Sequence, residues 1–345
     1  MLTGDLDRLL AAEISALRPP PPVITTAGTW RPAPPGSPPA PGTYATPIAF
    51  RLEPDPVPVA AALAEALHRA GWVRSAGVTS GYVTVTVTAD ALARLAVRIT
   101  TAGPACARST ALAGTASPAP PAPDLTAAAG WADAHRQLAA FLTGRLAEVA
   151  GARTFPSDSA ERGAIPARRP SPASGSVAAA VEFAGAGAVR YALARLPPGT
   201  PARVDPCQAA ARHLGVPAYA VRYAHAHAVS TLRQAADLGL SLGEPADFQP
   251  RLLAHPSERS LLGELSWLAE RVAGAARRAR PDAFARYLER LAGAYFDCQE
   301  QRPAVWPGMT ADGPGVVARL WLAAATATAL RAGLDLLGVD APDRL

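Results

Sequence analysis

In VPAYAVRYAHAHAVSTLRQAADLGL, residues 216–240, His225 and His227 stand among Tyr219, Tyr223, Arg222 and Arg233. Such residues hold a metal, stack on nucleic-acid bases, or decorate the edge of a core. The apolar spacing predicts a helix over 217–238. On a helix the two histidines, at i and i+2, point apart, whereas a shared ion needs i, i+3 or i, i+4. A metal site is therefore not expected. Val221, His225, Ala228, Leu232 and Ala235 share one face within about 80° and read as core, with His225 a hydrogen-bonded histidine at its edge. Tyr223, His227, Ser230 and Gln234 lie opposite, flanked by Arg222 and Arg233. That second face is either a solvated surface or one that stacks bases and grips phosphates. Residue types alone leave both readings open.

Absences narrow the chemistry further. All 33 basic residues of the 345 are arginine; the chain has no lysine and no asparagine. A P-loop lysine, a Schiff-base lysine and a lysine general base are thereby excluded. Cys106, Cys207 and Cys298 are far apart and form no C-x-x-C, so each is expected to be a small buried residue. Asp205, His213 and Asp282 are titratable, but nothing in the sequence holds them together. Neither a catalytic residue nor a cofactor is expected. The net charge of +5 divides as 18 Arg against 16 acids in residues 181–345 and 15 against 12 in residues 1–180. Counted this way the surplus is diffuse, with no basic stripe. No run approaches the about 20 apolar residues of a membrane span. Asp5, Asp7 and Glu13 interrupt the first eighteen residues, unlike a secretory signal. The expectation is a soluble cytoplasmic protein with no membrane partner.

The elements that must position these residues follow from periodicity. Residues 57–71 carry apolar positions at helical spacing and stop at Gly71. YVTVTVT (82–88) alternates and is β-branched, hence a strand, and 89–100 returns to helix. The proline-rich stretches 18–42 and 114–124 are expected to form neither ladders nor helices. With 151–176, which four prolines break, 114–124 reads as a linker around one isolated amphipathic helix at 131–151. Helices are expected at 187–196, 205–214, 217–238, 257–279, 281–300 and 314–337. Leu261, Leu265, Leu268 and Val272 form one stripe. Leu232, Leu265, Leu291 and Leu336 are expected core. The fold class is mainly α: a small α+β domain (1–103), linkers around one helix (104–180), and an all-α bundle (181–345).

Several of these stretches resemble arginyl-tRNA synthetases. YAVRYAHAH is similar to the Y-V-Q-Y-A-H-A-R signature of that family's anticodon-binding domain. AGAVRYALARLPPGTPARVD (186–205), DAFARYLERLAGAYFDCQE (282–300) and LRAGLDLLGVDAPDRL (330–345) are similar to its further segments, in the family's order. GTYATPIAFRL (42–52) and VTSGYVTVTV (78–87) resemble its N-terminal domain, which in the family contacts the tRNA elbow. The resemblance places Tyr82 at an aromatic position and Thr84 where the family has asparagine; threonine lacks an amide's paired donor and acceptor. Arg222 stands where the family has glutamine and His227 where it has arginine. A charged grip at 227 is weakened accordingly.

The family's catalytic core, with its HIGH-type turn and KMSK-type loop, would lie between the two matching regions. Only about 80 residues separate them here, and a lysine-free chain holds no KMSK loop. ADAHR (132–136) is the one place to seek a relic of the HIGH turn, but a lone His135 in an amphipathic helix reads as structural. The resemblance thus implies a tRNA-binding protein without the aminoacylation core, with arginine tRNA the expected partner. Its contacts would be Tyr82 and Thr84 in the first domain and Arg222, Tyr223, His227, Ser230, Arg233, Arg286 and Arg290 in the second. Arg286 and Arg290 lie opposite Phe284, Leu288, Leu291 and Tyr295. The alternative is a protein-interaction module or accessory subunit of a tRNA-using enzyme.

Overall fold

The computed structural model describes residues 2–16, 29–156, 175–305 and 314–345. Met1 and residues 17–28, 157–174 and 306–313, which include the first part of the proline-rich 18–42 stretch and the middle of the second expected linker, lie outside the described residues. The fold is mainly α, as expected from the sequence. The residues assemble into two compact units, each gathered from separated stretches of chain.

The first unit comprises Met1–Ala102, Thr231–Glu270 and Asp297–Thr326. Its sheet is antiparallel, in the order β1 (Thr43–Thr46), β3 (Tyr82–Val87), β2 (Val73–Thr79). Ser80 and Gly81, both at positive φ (50° and 78°), join β2 to β3, and Thr79 pairs with Tyr82. A two-residue turn of that hand matches the twist of the strands it connects. Along β3 the alternation puts Val83, Val85 and Val87 in the core, with Tyr82, Thr84 and Thr86 on the outer face. Helix Pro56–His68 begins at Asp55, whose carboxylate accepts from the Val57 N–H, and carries proline in its first turn. The expected 89–100 helix is two, Ala89–Ala93 and Leu95–Ala102, divided at Arg94. The proline-rich segment is not free of pairing: Arg31 bridges Ala45, and Trp30 is buried with its indole N–H donating to Asp7 at 2.8 Å.

The stripe Leu261, Leu265, Leu268 and Val272 is fully buried. It sits, however, on two helices, Pro256–Ser266 and Leu268–Arg277. The break falls at Trp267, whose N–H bonds back to Glu264, three residues away. That tighter turn ends the first helix, and the Trp267 ring packs 5.1 Å from Tyr44. Leu232 is only partly buried, against the cluster of Ala235, Ala304, Val316 and Leu320.

The second unit comprises Gly103–Ser230, Arg271–Phe296 and Ala327–Leu345. Here the linker expectation is corrected. Ala116–Ala119 forms a strand, despite Pro118, paired in parallel with Arg153–Pro156. Both members of a two-stranded sheet are edges, where a proline can turn its missing N–H away from the ladder. Helix Trp131–Val149 is not isolated either, because Leu138, Leu142 and Leu146 are fully buried. Gly144 approaches the first strand so closely that a Cβ would stand 2.7 Å from the Pro118 carbonyl oxygen. His135 is buried and structural, its Nε2–H donating to the Leu196 carbonyl at 3.1 Å. The expected 205–214 helix is one turn, Pro206–Ala210, capped by Asp205. Arg212, His213 and Leu214 are exposed and give a longer helix nothing to bury. Cys106 and Cys298 are buried, and burial pushes each thiol up to about 11. Cys207 is exposed, contrary to expectation. No single described helix is long and apolar enough to cross a membrane.

Candidate nucleic-acid interface

Helix Pro217–Asp237 carries Tyr219, Tyr223 and His227 at successive i, i+4 positions, which align on one face. Tyr219 and Tyr223 stack with centroids 5.7 Å apart and planes 13° from parallel. Tyr223 also lies 5.9 Å from Phe296, and His227 meets Tyr295 edge-on at 5.7 Å. Phe296 and Tyr295 belong to helix Pro281–Gln301, so the face read as polar is half-covered by a second helix. Five rings form a continuous ladder in which Tyr219, Tyr223 and Phe296 remain partly exposed. Partly exposed rings beside arginines suit base stacking, since every base presents a π-face.

The two histidines serve different partners. His225 is fully buried, and its Nδ1–H donates to the Pro342 carbonyl at 3.0 Å. Burial holds its pKa below the ordinary histidine value, although that hydrogen bond and nearby Asp343 oppose the shift. His227 Nδ1 lies 2.9 Å from the Tyr295 hydroxyl, and burial lowers its pKa too. With Nδ1 held at the Tyr295 hydroxyl and burial disfavouring the charged form, the His227 imidazole is suited to positioning the ladder. Of the two readings left open for this face, the solvated one does not hold at His227, which is half-buried against Tyr295. Among the described residues no group of three or more His, Cys, Asp or Glu could hold a metal ion.

Arg222 is partly buried, and its Nε is covered with no hydrogen-bond partner. Ser230 and Arg233 are partly buried further along the same helix. Arg286 and Arg290 are exposed, while Phe284, Leu288, Leu291 and Tyr295 opposite them are fully buried, as the wheel requires. The Arg290 guanidinium lies 5.8 Å from the Tyr287 ring. Tyr82 and Thr84 share the outer face of β3. Tyr82 meets Phe50, itself half-exposed, at 5.6 Å, and the Thr84 hydroxyl oxygen is covered with no partner. The structure therefore joins Tyr223 and His227 in one ladder and places Tyr82 beside Thr84. Sequence reasoning missed Tyr219, Phe296 and Phe50 as members of these surfaces. The i, i+4 spacing of Tyr219 and Tyr223 was a usable signal, whereas Phe50 had none.

Comparison with known proteins finds similarity over the region that carries most of this surface. Residues 221–345 match the model of the DALR anticodon binding domain. The chain is 40% identical over 171 residues to the arginine–tRNA ligase of Micrococcus luteus, and 37% identical over 173 residues to that of Paenarthrobacter aurescens. Each alignment covers 48% of this chain but only 30% of the relative, so the matched region spans less than a third of the relatives' length. Among solved structures, the arginyl-tRNA synthetase of Thermus thermophilus superposes with a TM-score of 0.70 at 14% identity, the alignment covering 100% of both chains. At that identity the likeness is one of fold.

Proposed function

We propose that this chain, whose residues 221–345 match the DALR anticodon binding domain and which is similar to arginine–tRNA ligases, belongs to the arginyl-tRNA synthetase family, binds tRNA and does not aminoacylate it. The observation that carries this reading is the aromatic ladder at Tyr219, Tyr223 and Phe296, which lies within or beside the family-matched region and stays partly open. An unpaired anticodon-loop base would stack on these rings, with Arg222 beside them. Tyr82 and Thr84, with Phe50, would meet a second unpaired base near the elbow. Absence of catalysis is supported by the lysine-free sequence, which offers no KMSK-type loop to neutralise charge on ATP phosphates. A cytoplasmic location belongs to the same proposal. Arginine tRNA is the proposed partner because the relatives are arginine ligases.

The test is fluorescence anisotropy of the purified chain against arginine tRNA, a non-cognate tRNA and duplex DNA at low and physiological salt. At least tenfold tighter binding to arginine tRNA that survives salt, a gap of about 1.4 kcal/mol, is the expected result. Equal, weak binding that vanishes with salt would sink the reading and turn attention to a protein partner.

A further inference from the structure

Counted by halves of the chain the positive charge is diffuse; counted by helix it is not. Residues 271–290, RVAGAARRARPDAFARYLER, hold six arginines and two acids, a surplus of +4 in a chain whose whole surplus is +5. Both acids are already engaged. Arg280 holds Asp282 through two bonds of 2.8 Å, and Arg195 holds Glu289 at 2.8 Å. Burial alone would raise the Asp282 pKa, but Arg280, and behind it the charge of Arg286, outweigh it and keep that carboxyl below the usual range.

The geometry gathers these cations at one corner. Helix Leu268–Arg277 ends in a turn in which Ala279 N–H bonds to Ala276 and Arg280 N–H bonds to Ala275. This pattern needs a left-handed residue at its corner, usually glycine. Ala279 takes that conformation at φ 50°, at a steric cost a glycine would avoid. Pro281 then starts the next helix at once. Arg277, Arg278 and Arg280 are exposed at the corner; Arg286 and Arg290 follow one and two turns above Asp282 on the same helix face. Like charges at i, i+4 destabilise a helix by a few tenths of a kcal/mol. A merely solvated face would interleave signs, as the rest of the chain does, where 27 arginines meet 26 acids.

We propose that the corner at residues 277–280 and the Arg286–Arg290 face form a ridge that grips an RNA phosphate backbone, independently of base identity. The proposal deepens the tRNA-binding reading and rests on it for the identity of the RNA. Guanidinium forks bind phosphate oxygens two at a time, and arginines exposed at the corner and along the Arg286–Arg290 face present that chemistry to solvent. In this division of labour the ladder reads bases and the ridge supplies salt-sensitive affinity.

The test uses the full chain, Arg278→Gln/Arg286→Gln and Tyr223→Ala, titrated with arginine tRNA, duplex DNA and polyglutamate from about 50 to 200 mM salt. Both arginines are exposed, so the double variant should melt with the wild type. The expected result is a salt slope on both nucleic acids reduced by about 0.7 to 0.9 for each phosphate no longer neutralised, while Tyr223→Ala leaves the slope unchanged. An unchanged slope in the double variant, with tRNA still bound, overturns the ridge and leaves the tRNA reading standing. Equal binding to tRNA and DNA with the slope still reduced keeps the ridge and sinks that reading. Polyglutamate bound as well as tRNA, with the same reduction, assigns the ridge to an acidic protein and overturns it as an RNA site. A wild type that binds no nucleic acid overturns both.

Discussion

The two candidate base-stacking surfaces are built in opposite ways. On the outer face of β3, Tyr82 and Thr84 emerge from a sheet whose other face is core, and the Thr84 hydroxyl is covered without a partner. On helix Pro217–Asp237, Tyr223 and His227 are locked into a ladder by Tyr295 and Phe296, with the key hydroxyl bonded to His227. The first surface keeps an unspent polar group; the second has committed its own to internal order. Rings fixed in advance lose little freedom when a base arrives, so the ladder is the better preorganised of the two.

The contrast breaks most visibly at the ladder's foundation. Leu291 is fully buried on the helix that carries Tyr295 and Phe296. Leu291→Ala should cost about 2 to 5 kcal/mol in chemical denaturation, and a loss under about half a kcal/mol would contradict the packing described. Next in size, Tyr223→Ala should erase the tenfold tRNA preference, about 1.4 kcal/mol, without moving the melting temperature much. If the preference survives there and disappears in Tyr82→Ala, the sheet is the reader and the ladder is structural. Tyr295→Phe removes the hydroxyl from His227 and should destabilise by about 1 kcal/mol.

The pH dependence follows from the two helix histidines. Burial holds both pKa values below the unfolded one, so the unfolded chain takes up protons first as pH falls. Their contribution to stability is complete above about pH 6.5 and is lost as pH drops through the folded values. His227→Gln should flatten part of that decline in a series of melts. Smallest, and opposite in sign to Tyr295→Phe, Thr84→Val replaces an unpartnered hydroxyl with a methyl and should be neutral or stabilising by up to about 1 kcal/mol. A clear destabilisation would mean the Thr84 hydroxyl has found a partner in solution.

What was legible in the sequence was orientation. Alternation along 82–87 separated Tyr82 and Thr84 from the valines, and the wheel set Arg286 and Arg290 opposite Leu288 and Leu291; the structure buries the valines and the leucines. What was not legible was which faces another element covers. His227 sits opposite His225 as the period demands, yet Tyr295 comes from 68 residues away to meet it. Periodicity carries no information about such a partner. The same limit made helix Trp131–Val149 look isolated, because its partner strand runs through prolines that argue against any ladder. Ala279 shows a third case: helices expected at 257–279 and 281–300 imply a turn between them, but its left-handed corner is hidden by a residue that seldom takes that conformation.

The parallel pairing of Ala116–Ala119 with Arg153–Pro156 has a consequence for how the chain assembles. Strand, helix and returning strand make a self-contained loop closed over about 37 residues. Arg145, by comparison, reaches Asp335 across 190 residues to donate to its carbonyl at 2.7 Å. Logarithmic loop statistics make the shorter closure cheaper by about 1.4 kcal/mol. The 116–153 loop can therefore close at a lower entropic cost than the Arg145–Asp335 contact, which needs the distant C-terminal helix already in place.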